Sequence, residues 1–231
     1  MHNSRSFPIR IRLRRTVTGL AVLVVAGAAT APGPARAHPH VFIDGGIDFV
    51  FRYGTMLDAL QVTWRYDAFE TLYTLSSHGM ALNAEGELDE ADRLELVRLL
   101  SDWPEDFDGS AHLTVGGDAI ALEWPSALDA HVVDGRLEMT FTRTLGTPVS
   151  LDSQDAEVAF YESTYFFAFS VTDEPRLVDG APGCSARVIP FDPDSQTEEL
   201  SKALSTLGRE ETPEIENVGA LFADRIAVTC G

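Results

Sequence analysis

The chain is short of basic residues, has very little cysteine and lacks any apolar run long enough to cross a bilayer. Its 231 residues hold 17 Lys and Arg against 36 Asp and Glu, a formal charge of −19. So acidic a surface repels nucleic acid and anionic lipid and attracts cations, so no nucleic-acid partner is expected. The apolar stretch from Gly19 to Ala31 has 13 residues where a spanning helix needs about 20. No G-x-S-x-G, H-E-x-x-H, Walker A or G-x-G-x-x-G sequence occurs, so no motif supports an enzymatic activity. Internal repeats and low-complexity blocks are also missing beyond the first segment. The two cysteines, Cys184 and Cys230, are expected to form one disulfide if the chain enters an oxidising compartment. A two-thiolate metal site is the rival, although neither has a second Cys or His at ligand spacing.

What is present at the amino terminus reads as an export leader. Arg5, Arg10, Arg12, Arg14 and Arg15 precede the 13-residue apolar run with no acidic residue among them. Pro32, Gly33 and Pro34 then break any helix, and Ala35-Arg36-Ala37 supplies a small-x-small cleavage site. Residues 1–37 are therefore expected to be a cleaved signal peptide, with an uncleaved anchor as the rival. Arg14-Arg15 leaves the twin-arginine route open beside the general one. Cleavage removes 6 of the 17 basic residues and leaves 194 residues (231 minus 37) with a formal charge of −25 (11 minus 36). The expected product is periplasmic, not inserted in the membrane, and forms a single domain over residues 38–231. A subdivision into 38–104 and 105–231 is the finer option.

A chain starting at His38 presents an α-amine and an imidazole on one residue, with His40 two positions later. On a strand, His38, His40, Phe42 and Asp44 share a face, because the side-chain period is two. Pro39 has no backbone N–H to deprotonate, so an amide-bound square-planar copper or nickel site is blocked. What remains is an amine-plus-imidazole chelate at His38, the imidazole of His40, and one or two ligands from elsewhere.

Further along, Val41–Tyr53 and Leu60–Tyr66 alternate as strands. Ala68–Met80 suits a helix capped by Asp67, with Phe69, Leu72, Tyr73, Leu75 and Met80 as its apolar positions. Glu90–Trp103 suits a second helix, with Leu94, Leu96, Val97 and Leu100 facing the core. Between them, Ala81–Asp92 places Asn83, Glu85, Gly86, Leu88, Asp89 and Asp92 at EF-hand positions three, five, six, eight, nine and twelve. Ala81 stands where the first ligand belongs and Asp92 where Glu is usual, so weak calcium binding at residues 83–92, or none, is expected. Short strands follow at 112–115, 119–124, 131–133, 137–143, 157–161, 165–171 and 186–189, then a helix at 195–207 and a last strand at 224–230. The expected fold class is α+β: a mostly antiparallel sheet with an inserted, degenerate EF-hand-like helix–loop–helix and a C-terminal helix. The acidic cluster Asp102, Glu105, Asp106 and Asp108 reads as a solvated turn. His78, His112 and His131 are isolated, and any of them is a candidate distant ligand.

Four segments together carry a family likeness: HPHVFID at His38–Asp44, WRYDAF at Trp64–Phe69, YESTYF at Tyr161–Phe166 and DRIAVTC at Asp224–Cys230. The chain resembles the bacterial domain-of-unknown-function family 1007, described as a periplasmic component of an uncharacterised ABC-type transport system. Members are similar in lying beside nickel/cobalt-type transporters, which implies metal handling. The resemblance implies Asp67 and Glu162 as further site residues. Glu162 stands where the family reads Y-D-x-T-Y-Y, and Asp67 is the acidic residue of W-x-Y-D-x-F. The functional expectation is thus a periplasmic protein that binds a divalent transition metal through His38 and His40, with Asp44, Asp67 or Glu162 as oxygen donors. Zinc and nickel head the metals, copper and cobalt follow, and the partner is a membrane metal transporter. The alternatives are a non-metal adaptor docking on such a transporter, and copper redox chemistry at a terminal histidine.

Overall fold

Alternation of apolar and polar residues fixes which face of each strand is buried, and most of β1 (Val41–Tyr53) follows it. Val41, Ile43, Ile47, Phe49 and Phe51 are buried, whereas Phe42 and Arg52 face water. The computed structural model describes residues 39–105, 107–195 and 216–231. A two-residue turn at Gly54 and Thr55 returns the chain antiparallel as β2 (Met56–Tyr66). Opposite β1, Leu57 and Ala59 pair with the consecutive residues Phe51 and Val50, so β2 carries one extra residue there. The inward set of β2 changes from Leu57 before it to Leu60, Val62, Trp64 and Tyr66 after it. An inserted residue reverses the parity of everything after it, and this bulge turns Trp64 and Tyr66 into the core. β1 and β2 also approach unusually closely at Gly45, where a Cβ would lie 2.0 Å from the Thr63 carbonyl oxygen.

Two helices follow, α1 (Ala68–Ser77) and α2 (Glu90–Leu100), and then strands β3 (Ala111–Val115), β4 (Asp118–Ile120), β5 (Ser126–Val133), β6 (Arg136–Ser150), β7 (Ala156–Phe160), β8 (Phe167–Val171), β9 (Leu177–Val178), β10 (Cys184–Ile189) and β11 (Asp224–Cys230). They make two sheets. One runs β5-β6-β2-β1-β8, with β9 also pairing β1, and the other runs β10-β11-β7-β3-β4. Pairing is antiparallel except where β1 meets β8 and β9, which run parallel to it. One hydrophobic cluster unites inward residues of both sheets, such as Phe49, Met139 and Phe141 with Val158, Phe160 and Ile226.

This β-sandwich-like arrangement corrects the α+β expectation. The helices have 10 and 11 residues and contribute few side chains to the core, chiefly Leu75 and Leu96, so they form no layer of their own. Phe69, Leu72 and Tyr73, apolar positions of the first helix, point outward, as does Leu94, expected to face the core from the second. The loop between the helices does not make an EF-hand pair either. Asn83 Oδ1 accepts from the backbone N–H groups of Glu85 and Glu87, and Asp89 caps α2 by accepting from Asp92 N, so the oxygens at two liganding positions are used locally. The expected C-terminal helix at 195–207 falls, apart from its first residue, outside the described residues. Its described flanks are 3₁₀ turns at Pro193–Ser195 and Val218–Phe222.

The disulfide expectation holds. Cys184 and Cys230 face each other across β10 and β11 and are bonded, S–S 2.00 Å, tying the last strand to its neighbour. No helix among the described residues is long and apolar enough to cross a membrane.

Candidate functional site

Three of the four likeness segments meet at one end of the sandwich. His38 lies outside the described residues. His40 immediately precedes β1, where its N–H donates to the Phe166 carbonyl at 2.9 Å and its ring lies 5.1 Å from the Phe166 ring. Phe166 closes the 161–166 segment, and this segment is organised by Glu162. The Glu162 carboxylate accepts from Thr164 N (2.7 Å), Thr164 Oγ1 (2.8 Å) and Phe166 N (3.0 Å), with Ser163 Oγ at 3.4 Å. Gly219 seats the same segment from behind. Its N–H donates to the Ser163 carbonyl at 3.2 Å, and a Cβ there would lie 1.8 Å from the Glu162 carbonyl oxygen.

The other proposed oxygen donors are already engaged. Asp44 lies on the outer face of β1 and accepts from Arg136 Nη1 at 2.7 Å, while Arg136 also donates to the Tyr66 and Arg65 carbonyls. Asp67 caps α1, accepting from Glu70 N at 2.8 Å. Strand parity puts Asp44 and Phe42 on one outward face, as the sequence implies, but brings no second carboxylate to them. Among the described residues no group of three His, Cys, Asp or Glu side chains is arranged to hold a metal ion.

What the segments do enclose is a cavity of about 340 Å³. One wall is aromatic: Trp64, Phe107, Phe166 and Phe167 line it. Trp64 is the hub, with ring centroids of Phe169, Phe141 and Phe107 at 5.2, 5.4 and 6.0 Å. The other wall comes from the 104–110 loop and the Glu162–Thr164 turn. Arg143, inward-facing on β6 and buried, holds that loop by donating to the Asp108 carbonyl, and it also donates to the Glu123 carbonyl at 2.6 Å and the Leu122 carbonyl at 3.2 Å. Burial lowers the pKa of its guanidinium from the ordinary value, and Asp108 opposes that shift.

Asp108 Oδ1 accepts from Ser110 N at 2.9 Å, and its Oδ2 lies 3.4 Å from His112 Nε2. That imidazole is stacked on Tyr161, centroids 3.7 Å apart, with Nε2 3.1 Å from the Tyr161 carbonyl. A carbonyl can only accept, so Nε2 carries the proton. Burial pushes the His112 pKa down, against the pull of Asp108 and the carbonyl, and Arg143 adds to the fall.

Two residues that line the cavity each carry a buried polar atom without a hydrogen-bond partner among the described residues: Trp64 Nε1 and Ser110 Oγ. Their residues are 4% and 1% exposed. A buried polar group without a partner costs about 1–3 kcal/mol, so this pair stands out. Ser110 (φ 54°) and Tyr165 (φ 61°) adopt left-handed backbone conformations in the two loops bordering the cavity, as Ala127, Asp134, Asp179 and Asn217 do elsewhere. Trp64 lies within a likeness segment. Asp108 and Ser110 were not legible, because an acidic turn gives no signal that its backbone folds over a tryptophan.

Fold and cavity together define a disulfide-linked, β-sandwich-like protein with an aromatic, acid-edged pocket at one end. The chain belongs to the family described as protein of unknown function (DUF1007), whose profile matches residues 23–230. No curated protein matches it. Among solved structures it is similar to AChBP from Bulinus truncatus, at 13% identity and TM-score 0.35 over 90% of this chain and 95% of that one. It is also similar to the Biomphalaria glabrata acetylcholine-binding protein type 1, at 12% identity and TM-score 0.32 over 91% and 95%. At these scores neither bears on the fold or the ligand.

Proposed function

We propose that the protein is exported to the periplasm and binds a divalent transition metal there, through the amino-terminal histidines, on behalf of a membrane metal transporter. One observation carries the reading: His40 is fixed to the sandwich by its bond to Phe166 and its ring packing there, so the histidine-bearing segment is anchored. The engaged carboxylates refine the donor set. Asp44 serves Arg136, Asp67 serves α1 and Glu162 serves its own turn, so the metal relies on nitrogen: His40, His38 and the amine released by cleavage. Such a set suits nickel, copper or zinc rather than a hard, oxygen-seeking ion.

Native mass spectrometry of the exported protein with nickel, copper and zinc tests this. One metal per chain is expected, abolished by His38→Ala with His40→Ala and retained in Asp44→Asn and Glu162→Gln. A double histidine variant that keeps its metal overturns the reading.

A further inference from the structure

We propose that the cavity between Trp64 and the 104–110 loop binds a small organic cation that carries an apolar ring. This goes beyond the metal reading, for no imidazole lines the cavity and His40 packs on the ring of Phe166. A volume of about 340 Å³ lies at the small end of ligand pockets and takes a single-ring molecule. Four aromatic side chains, Trp64, Phe107, Phe166 and Phe167, offer ring faces to an apolar body.

The sign of the charge follows from the lining. It contains no Lys, Arg or His, and it contains two carboxylates, Asp108 and Glu162. Glu162 already holds its own turn through both oxygens. Asp108 takes one backbone N–H and a distant imidazole, and its side chain remains 38% exposed, so it has lone pairs left for an ammonium. An ammonium beside Asp108 also gains from the negative ring faces around it. An anion meets the reverse on both counts, within a chain already carrying −19. The walls are held in advance by Arg143 on the Asp108 carbonyl and by Gly219 on the Ser163 carbonyl, so a ligand does not have to order them.

Tyramine fits the description, and 4-hydroxyphenylacetate is its anionic counterpart. The readout is the indole N–H resonance of Trp64 in the full-length exported protein labelled with nitrogen-15. It is assigned with Trp64→Phe, or by elimination with Trp103→Phe and Trp124→Phe should the first fail to fold. Tyramine is expected to shift that resonance saturably, and 4-hydroxyphenylacetate to bind at least tenfold more weakly. Asp108→Asn is expected to weaken tyramine at least tenfold, with the disulfide intact and the far-ultraviolet spectrum unchanged. A Trp64 resonance that does not move at millimolar tyramine means the cavity holds only water, and the proposal fails. Equal binding of the anion, or an Asp108→Asn variant with unchanged affinity, overturns it as well.

Discussion

The outer face of the first sheet and the cavity at its end use the same strands for opposite purposes. On the outer face, Asp44 is paired with Arg136, and Arg65 with both Glu138 (2.9 Å) and Asp173 (3.1 Å), so charge neighbours charge across β1, β2 and β6. Those carboxylates raise the Arg65 pKa further above its already high ordinary value. At the cavity, one residue earlier on β2, Trp64 keeps an N–H without a partner and Ser110 keeps a hydroxyl without one. Saturated polar groups hold a fold together, whereas buried groups without a partner cost it stability.

Arg143→Met gives the sharpest way to break this contrast, because it strips the donor from three backbone carbonyls and frees the cavity loop. A loss of about 2–4 kcal/mol in urea unfolding is expected, with faster amide exchange over residues 107–110. Unchanged stability would mean that the loop is held by something other than the guanidinium. Asp67→Ala comes next, at about 1 kcal/mol, since it removes one cap from α1. A larger drop would assign Asp67 a role beyond the cap.

His112 sharpens the comparison through pH. Its folded pKa is depressed below the ordinary value of about 6.5, so the unfolded chain binds more protons in that range. Stability therefore declines as pH falls from about 6.5 towards the folded value and levels off below it. Thermal melts from pH 7.5 to 5 should show that slope, and His112→Gln should flatten it. The smallest effect is expected on the outer face: Asp44→Asn should cost less than about 1 kcal/mol, with the difference from wild type shrinking as salt is added.

Much of the β structure was legible, because period-two alternation marks it directly. The limits of β1 and β11 match the sequence reading residue for residue, and the Cys184–Cys230 bridge follows from there being only one pair. The helices misled for a physical reason. An i, i+3, i+4 pattern such as Phe69, Leu72 and Tyr73 reads as a buried stripe, yet those residues are 77, 67 and 60% exposed. The core contact is made instead by Thr71 and Leu75, with Thr71 Oγ1 accepting from Leu137 N at 2.9 Å. Sequence likeness pointed to Trp64 and Glu162 but could not say that they line one cavity. That depends on the bulge at Leu57–Ala59 and on the path of the 104–110 loop, neither of which leaves a periodic trace.

The placing of β1 has a consequence in time. Its parallel partner is β8, and six strands and two helices intervene in the chain between them. The first strand therefore cannot be completed until most of the polypeptide has been synthesised, and closing so long a loop is slow. A chain built this way stays open while its beginning waits for its end, which is the condition a translocation machinery needs if it is to thread a polypeptide before it folds.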